Sequence, residues 1–223
     1  MFAVNTYEEI EKREKELNKK HIVILLFVRP SLPNASDIIN EFEYIHYNSG
    51  EYCSIYAVGY TNNCFLVNED KTYNRITSVD SSQWYFSNKA FVEFKNNLEN
   101  RLKWKYSGNA EMIILQSNPL GNNILNFQNY ISLDINCGLK RGYLDTFNKF
   151  MESLIRNSKK NTEVLSVSWE LSKERIKIKD ILIETIDDCK KVPIPVKKIL
   201  KDNLFFMPKL NKYDKTSPWN YLR

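Results

Sequence analysis

Residues 22–28, Ile-Val-Ile-Leu-Leu-Phe-Val, are seven apolar side chains in a row, the longest such run in the chain. No polar residue alternates with them, so a strand built from this run keeps both faces out of water. Strands of that kind sit in the middle of an α/β sheet with helices on either side. The run therefore predicts a three-layer α/β fold around a mixed central sheet. It is far too short for the roughly 18 apolar residues that a membrane helix needs.

The flanking segments supply the other layers. Thr6 and Glu9 have capping-box spacing, which predicts a charged surface helix to about Lys20 anchored by Ile10 and Leu17. After the strand, Arg29-Pro-Ser-Leu-Pro-Asn34 breaks the chain. A helix over Ala35–Tyr47 then presents Ile38, Phe42 and Ile45, with Asn48-Ser49-Gly50 as its end. Tyr52–Gly59 reads as a second buried strand. Cys64–Val67, an Asn68–Lys71 turn and Ile76–Val79 suggest a hairpin. Ser87 or Asn88 starts a helix whose stripe is Phe91, Phe94, Leu98 and Leu102, with Trp104 beyond. Strands at Glu111–Gln116 and Tyr130–Ile135 follow, then a helix capped at Asp145 and running through Ile155.

Without the first helix and the hairpin, the order is β-α-β-α-β-β-α. It resembles that of thioredoxin-like folds over roughly residues 21–157. The resemblance is one of element order. Where a thioredoxin carries Cys-x-x-Cys, this chain has Arg29-Pro30-Ser31-Leu32-Pro33-Asn34. The loop Gly108-Asn109-Ala110 also lacks the proline that thioredoxins hold before the third strand. A scaffold is implied, without the redox chemistry.

Two regions are expected, a core over 1–157 and a basic, Pro-interrupted, mainly helical extension over 158–223 packed on it. Asn161–Ser172 fits either a helix or a strand, and Ile178–Ile186 and Val196–Lys201 read as helical, separated by Pro193 and Pro195. Charge is divided unevenly: 16 Lys and Arg against 18 Asp and Glu in residues 1–155, but 16 against 9 in 156–223. Such a basic block attracts acidic protein surfaces or phosphate.

Several reaction classes find no footing. The six glycines form neither G-x-G-x-x-G nor a P-loop. The two histidines, His21 and His46, accompany no G-x-S-x-G elbow, and His21 at the start of the buried strand reads as a structural residue. The scattered cysteines, Cys53, Cys64, Cys137 and Cys189, offer no zinc spacing and read as reduced structural thiols. No metal, cofactor or catalytic residue is expected, and the acidic N-terminus is unlike a secretory signal, so the cytoplasm is the expected compartment.

The remaining candidates are binding residues. Lys140 and Arg141 lie in the Asn136–Gly142 loop before a helix start, where an anion is favoured. Arg29 ends the central strand, with Ser31 and Asn34 near it, where open α/β sheets place ligands. Lys197, Lys198, Lys201, Tyr213, Trp219 and Tyr221 form a basic and aromatic interface set in the extension. The function expected is a non-catalytic protein-interaction module, of the kind found in bacterial phage defence or toxin immunity, with another protein as partner. Non-specific nucleic acid is a further candidate partner, and no membrane is. The alternative is a metal-dependent enzyme acting on nucleic acid or a phosphorylated small molecule through Glu69, Asp70, Asp80 or Asp134.

Overall fold

The structure, a computed structural model, describes residues 1–69, 73–121, 123–140, 142, 144–173 and 209–210. A short strand, Phe2–Val4 (β1), precedes the helix Tyr7–Leu17 (α1). Thr6 accepts the Glu9 backbone N–H at 3.3 Å, and the Glu9 carboxylate accepts the Asn5 N–H at 3.2 Å. This is a one-residue variant of the reciprocal cap that the spacing suggests. The apolar run becomes Ile22–Phe27 (β2), every residue buried.

The helix expected over Ala35–Tyr47 is two helices, Ala35–Ile39 (α2) and Phe42–Ser49 (α3). Between them the Glu41 N–H donates to the Ile38 carbonyl at 3.2 Å, a tight turn that leaves Ile39, Phe42 and Ile45 all buried. Cys53–Val58 (β3) is buried throughout. Gly59, which follows it, has φ +82°, and a Cβ there would meet the Phe91 Cβ at 2.7 Å. Only glycine satisfies both constraints. Its N–H donates to the Val4 carbonyl, and its carbonyl accepts the Ser87 N–H at 2.9 Å.

Between Gly59 and Ser87 the chain makes an excursion through Tyr60–Thr61 (β4), Cys64–Glu69 (α4), Asn74–Val79 (β5) and Ser82–Phe86 (β6). The strand expected at Cys64–Val67 is helical instead. Asn63 accepts the Phe65 N–H on its side chain at 3.0 Å and starts the turn. The hairpin therefore comes later, between β5 and β6, around Asp80 and Ser81 with φ of +49° and +59°. Two consecutive left-handed residues are what a two-residue hairpin turn requires. The turn expected at Asn68–Lys71 lies partly outside the described residues.

Asn88–Arg101 (α5) starts at Ser87, whose Oγ accepts the Ala90 N–H, and buries Phe91, Phe94 and Leu98 as the stripe predicts. Glu111–Ser117 (β7) and Leu125–Asp134 (β8) follow, then Ile135–Lys140 (α6), Phe147–Lys160 (α7) and Val164–Lys173 (α8). Lys209–Leu210 (β9) is the last described element. Thr146, not Asp145, caps α7 by accepting the Lys149 N–H at 3.2 Å, while Asp145 pairs with the Lys149 ammonium at 3.6 Å. The open choice over 161–172 is decided in favour of a helix. Because α7 runs across residue 157, the expected division into two regions falls inside a continuous helix. The helices expected over 178–186 and 196–201 lie outside the described residues.

The main sheet is mixed, in the order β1-β3-β2-β7-β8, with β9 along the outer side of β8. β1, β3 and β2 are parallel, and β7 and β8 are antiparallel to their neighbours. A smaller antiparallel sheet, β4-β6-β5, carries the excursion. Phe27 at the end of β2 meets Phe91, Phe94 and Trp104, with ring centroids 4.9–6.1 Å apart. Helices α3 and α7 pack on each other and on β3. No helix among the described residues is long and apolar enough to cross a membrane.

One polar network lies inside this apolar frame. Leu17, expected as an anchor of α1, is 50% exposed, and the inward position belongs to the fully buried Glu14. Its carboxylate accepts the Tyr56 hydroxyl at 2.6 Å and lies 3.2 Å from His21 Nε2. His21 Nδ1 donates to the Lys19 carbonyl, and its Nε2 is 2.8 Å from Ser54 Oγ. Burial acts to raise the Glu14 pKa, but the His21, Tyr56 and Ser54 contacts outweigh it and hold the group below its ordinary value. Glu14→Ala is expected to cost about 3 kcal/mol, a fall in Tm of roughly 6–12 °C for a chain of this size. A depressed carboxyl stabilises the fold fully above its ordinary value of 4.5. The contribution disappears as pH falls through the lower folded-state value. Thermal melts should therefore show the gap between wild type and Glu14→Gln closing in acid.

Candidate functional site

The C-terminal end of β2 opens into a cleft of about 1250 Å³. Three segments distant in sequence form it. The β2–α2 connection supplies Pro33 and Asn34, and α2 with the turn after it supplies Asp37 and Glu41. The loop before β7 adds Asn109. The end of β8, helix α6 and the start of α7 close the far side. Asn136 Nδ2 donates to the Pro33 carbonyl at 3.4 Å, tying α6 to the β2–α2 connection. Two loops picked from sequence for separate reasons, 29–34 and 136–142, thus come together at one place.

Asp134 organises the floor. Its Oδ1 accepts the Cys137 N–H at 2.8 Å, so it caps α6. Its Oδ2 accepts Asn109 Nδ2 at 2.7 Å and the Ser107 hydroxyl at 3.4 Å. One carboxylate thereby fixes both α6 and the loop before β7. The neighbouring Glu111 is buried and accepts the Trp104 indole N–H at 2.7 Å and the Ser107 backbone N–H. Burial raises the Glu111 pKa, against the hydrogen bonds from Ser107 and Trp104 and with the Asp134 charge.

Of the anion candidates, Lys140 lies on the cleft wall at the end of α6. The segment expected to be a loop is helical from Ile135, because Asp134 caps it. Arg141 lies outside the described residues. Arg29 is not part of the lining, although Asn34, expected beside it, is. Its guanidinium turns the other way: Nη2 donates to the Gly108 carbonyl at 3.4 Å, with the Phe91 and Tyr106 ring centres 5.9 and 5.7 Å away. The described lining holds four carboxylates, Asp37, Glu41, Asp134 and Asp145, against one cation, Lys140. Such a wall favours positive charge.

The extension candidates Lys197, Lys198, Lys201, Tyr213, Trp219 and Tyr221 lie outside the described residues. Of the carboxylates proposed for metal chemistry, Asp70 lies outside them too. Asp80 holds the β5–β6 turn to α3, accepting the Tyr47 hydroxyl at 3.1 Å and standing 3.8 Å from His46 Nε2. His46 Nδ1 donates to the Met1 carbonyl at 2.9 Å. Among the described residues, no group of three or more His, Cys, Asp or Glu side chains is arranged to hold a metal ion.

Cys53, Cys64 and Cys137 are free thiols. Cys53 is buried, and burial pushes its pKa up to about 12. Cys64 is exposed, because α4 replaces the buried strand expected there, and Cys137 lines the cleft.

Asp37, Glu41 and Asn109 escape sequence reasoning, since each is an ordinary surface-type residue until the three segments meet. Asp134→Ala should cost about 2 kcal/mol, from a lost cap and charge-assisted hydrogen bonds. Hydrogen exchange should quicken at the Asn109 and Cys137 amides while the amides of β2 stay protected.

Comparison with protein-family models, with curated proteins and with solved structures finds no match to this chain.

Proposed function

We propose that the chain is a non-catalytic protein-interaction module whose contact surface is the cleft at the end of β2, and that the segment it takes from its partner is rich in lysine or arginine. The acid-dominated lining carries this reading: Asp37, Glu41 and Asp134, with Asp145 paired to Lys149, share a concave surface with one lysine. Concave walls of one sign focus the field and hasten encounter with the opposite charge. Asp37 on α2 and Glu41 in the turn after it both line the cleft, exposed and partly exposed respectively, and offer two carboxylates to the basic side chains of one segment. Lys140, with Arg141, is proposed to meet an anionic group at the rim of the same partner.

A thioredoxin-type scaffold belongs to the same proposal. It is supported by the succession β2, α2–α3, β3, α5, β7, β8, α7, with β2 and β3 parallel and β7 and β8 antiparallel. On that scaffold the cleft falls at the loops where thioredoxins keep their redox motif. Here those loops hold Arg29–Asn34 and Gly108–Ala110, so the position is read as a binding site. The basic and aromatic residues of the extension, Lys197, Lys198, Lys201, Tyr213, Trp219 and Tyr221, are proposed as a second contact surface. A cytoplasmic setting and an accessory role in defence or immunity fit a module of this kind.

The enzymatic alternative, metal-dependent cleavage of nucleic acid or turnover of a phosphorylated small molecule, has Asp134 in the cleft in its favour. Against it, three donors already occupy that carboxylate. Incubation with nucleic acid and Mg²⁺ or Mn²⁺ is expected to leave the substrate intact on a gel. Metal-dependent cleavage abolished by Asp134→Ala would replace the binding reading with the enzymatic one. For the binding reading, a fluorescein-labelled hexa-arginine peptide should bind with an affinity that falls as salt rises. The double variant Asp37→Asn, Glu41→Gln should weaken binding roughly fivefold. Equal weakening by Glu8→Gln, Glu11→Gln on α1 would reduce the effect to general charge and remove the cleft from the proposal.

A further inference from the structure

Arg29, which does not line the cleft, presents a charge with no carboxylate counter-ion among the described residues. No Asp or Glu oxygen is recorded within 4 Å of it among the described residues, and its Nε is buried without a hydrogen-bond partner. The Tyr106 hydroxyl beside it is also buried and makes no well-aligned hydrogen bond; burial raises its pKa, and the Arg29 guanidinium close by acts to lower it. The two acids whose charges reach Tyr106 are committed elsewhere. Glu111 is held by Trp104 and Ser107, and Asp134 by Asn109, Ser107 and the Cys137 amide. The guanidinium makes one long hydrogen bond, 3.4 Å to the Gly108 carbonyl, stands close to the Tyr106 hydroxyl, and otherwise rests among aromatic rings. Above Gly108, at φ +97°, no atom lies within 4 Å of where a Cβ would stand, so the shelf beside Arg29 is open.

A half-buried guanidinium lacking a carboxylate is an expensive arrangement, because its donors lose water and gain little in return. Arginine offers its N–H groups as a planar fork that fits two oxygens of one anion. Its stacking on rings holds that fork in place without using the donors. We infer that Arg29, the Tyr106 hydroxyl and the open shelf over Gly108 bind an oxyanion, a carboxylate or a phosphate group, seated at the C-terminal end of the central strand. This site does not depend on the cleft reading: its ligand has the opposite charge, and it uses none of the cleft carboxylates.

The test is titration of the ¹⁵N-labelled full chain with inorganic phosphate, with acetate, and with sodium chloride at matched ionic strength, following the Arg29 Nε–H resonance. A saturable shift with phosphate or acetate that chloride does not reproduce is expected. Saturation by phosphate alone identifies a phosphate group as the natural ligand, and saturation by acetate alone a carboxylate. Tyr106→Phe should weaken binding roughly three- to tenfold, the worth of one hydrogen bond. Arg29→Lys keeps the charge but loses the fork. With its melting temperature checked, it should abolish saturable binding as seen at the Gly108 and Asn109 amides. A linear shift shared with chloride, or saturable binding that survives Arg29→Lys, would overturn the assignment.

Discussion

Hydrogen bonding of β2 to β3 on one side and to β7 on the other is the constraint on which the arrangement rests. The strand has no polar side chain for either face, so both must be covered, and the covering helices are delivered by the connections on each side. Its C-terminal end is then the one place where the β2–α2 connection and the loop before β7 emerge side by side. The cleft follows from that topology. Its lining comes from residues 33 to 148 because strands far apart in sequence are neighbours in the sheet.

Three carboxylates join elements that the apolar core alone would leave loose. Glu14 fastens α1 to β2 and β3 through His21 and Tyr56. Asp134 and Glu111, paired across β7 and β8, fasten the loop before β7 to α6 and to Trp104. Burying a carboxylate is favourable only when donors surround it; Glu111 has Trp104 and Ser107, and Glu14 has Tyr56 with His21 3.2 Å away. Arg29 is the exception among the charged groups of this end of the sheet.

Much of the frame was legible in the sequence, and for identifiable reasons. Continuous apolar runs marked β2 and β3, helical stripes marked α5 and α7, and Ser87 marked a helix start. What escaped depended on competition between equally plausible local signals. Asp145 and Thr146 are both capping residues, and only packing decides that Thr146 takes the role. Cys64–Val67 is apolar enough for a strand, but Asn63 starts a helix there. Glu14 has the composition of a solvent-facing residue, and only the fold reveals His21 and Tyr56 beneath it. The loops that meet at the cleft were legible where they were unusual, as with Pro33-Asn34 and the segment from Asn136 to Lys140. Site residues were illegible where ordinary residues such as Asp37 and Asn109 became neighbours through the sheet.

The contact between the Gly59 carbonyl and the Ser87 N–H has a topological consequence. The chain leaves the main sheet and returns to it at a single point, so everything between is a side trip that closes on itself. Tyr60, Trp84 and Phe86 root that side trip in the core, while the segment around α4 projects from it with Phe65 75% exposed. Residues can be added or removed at that tip without altering the pairing of any strand in the main sheet.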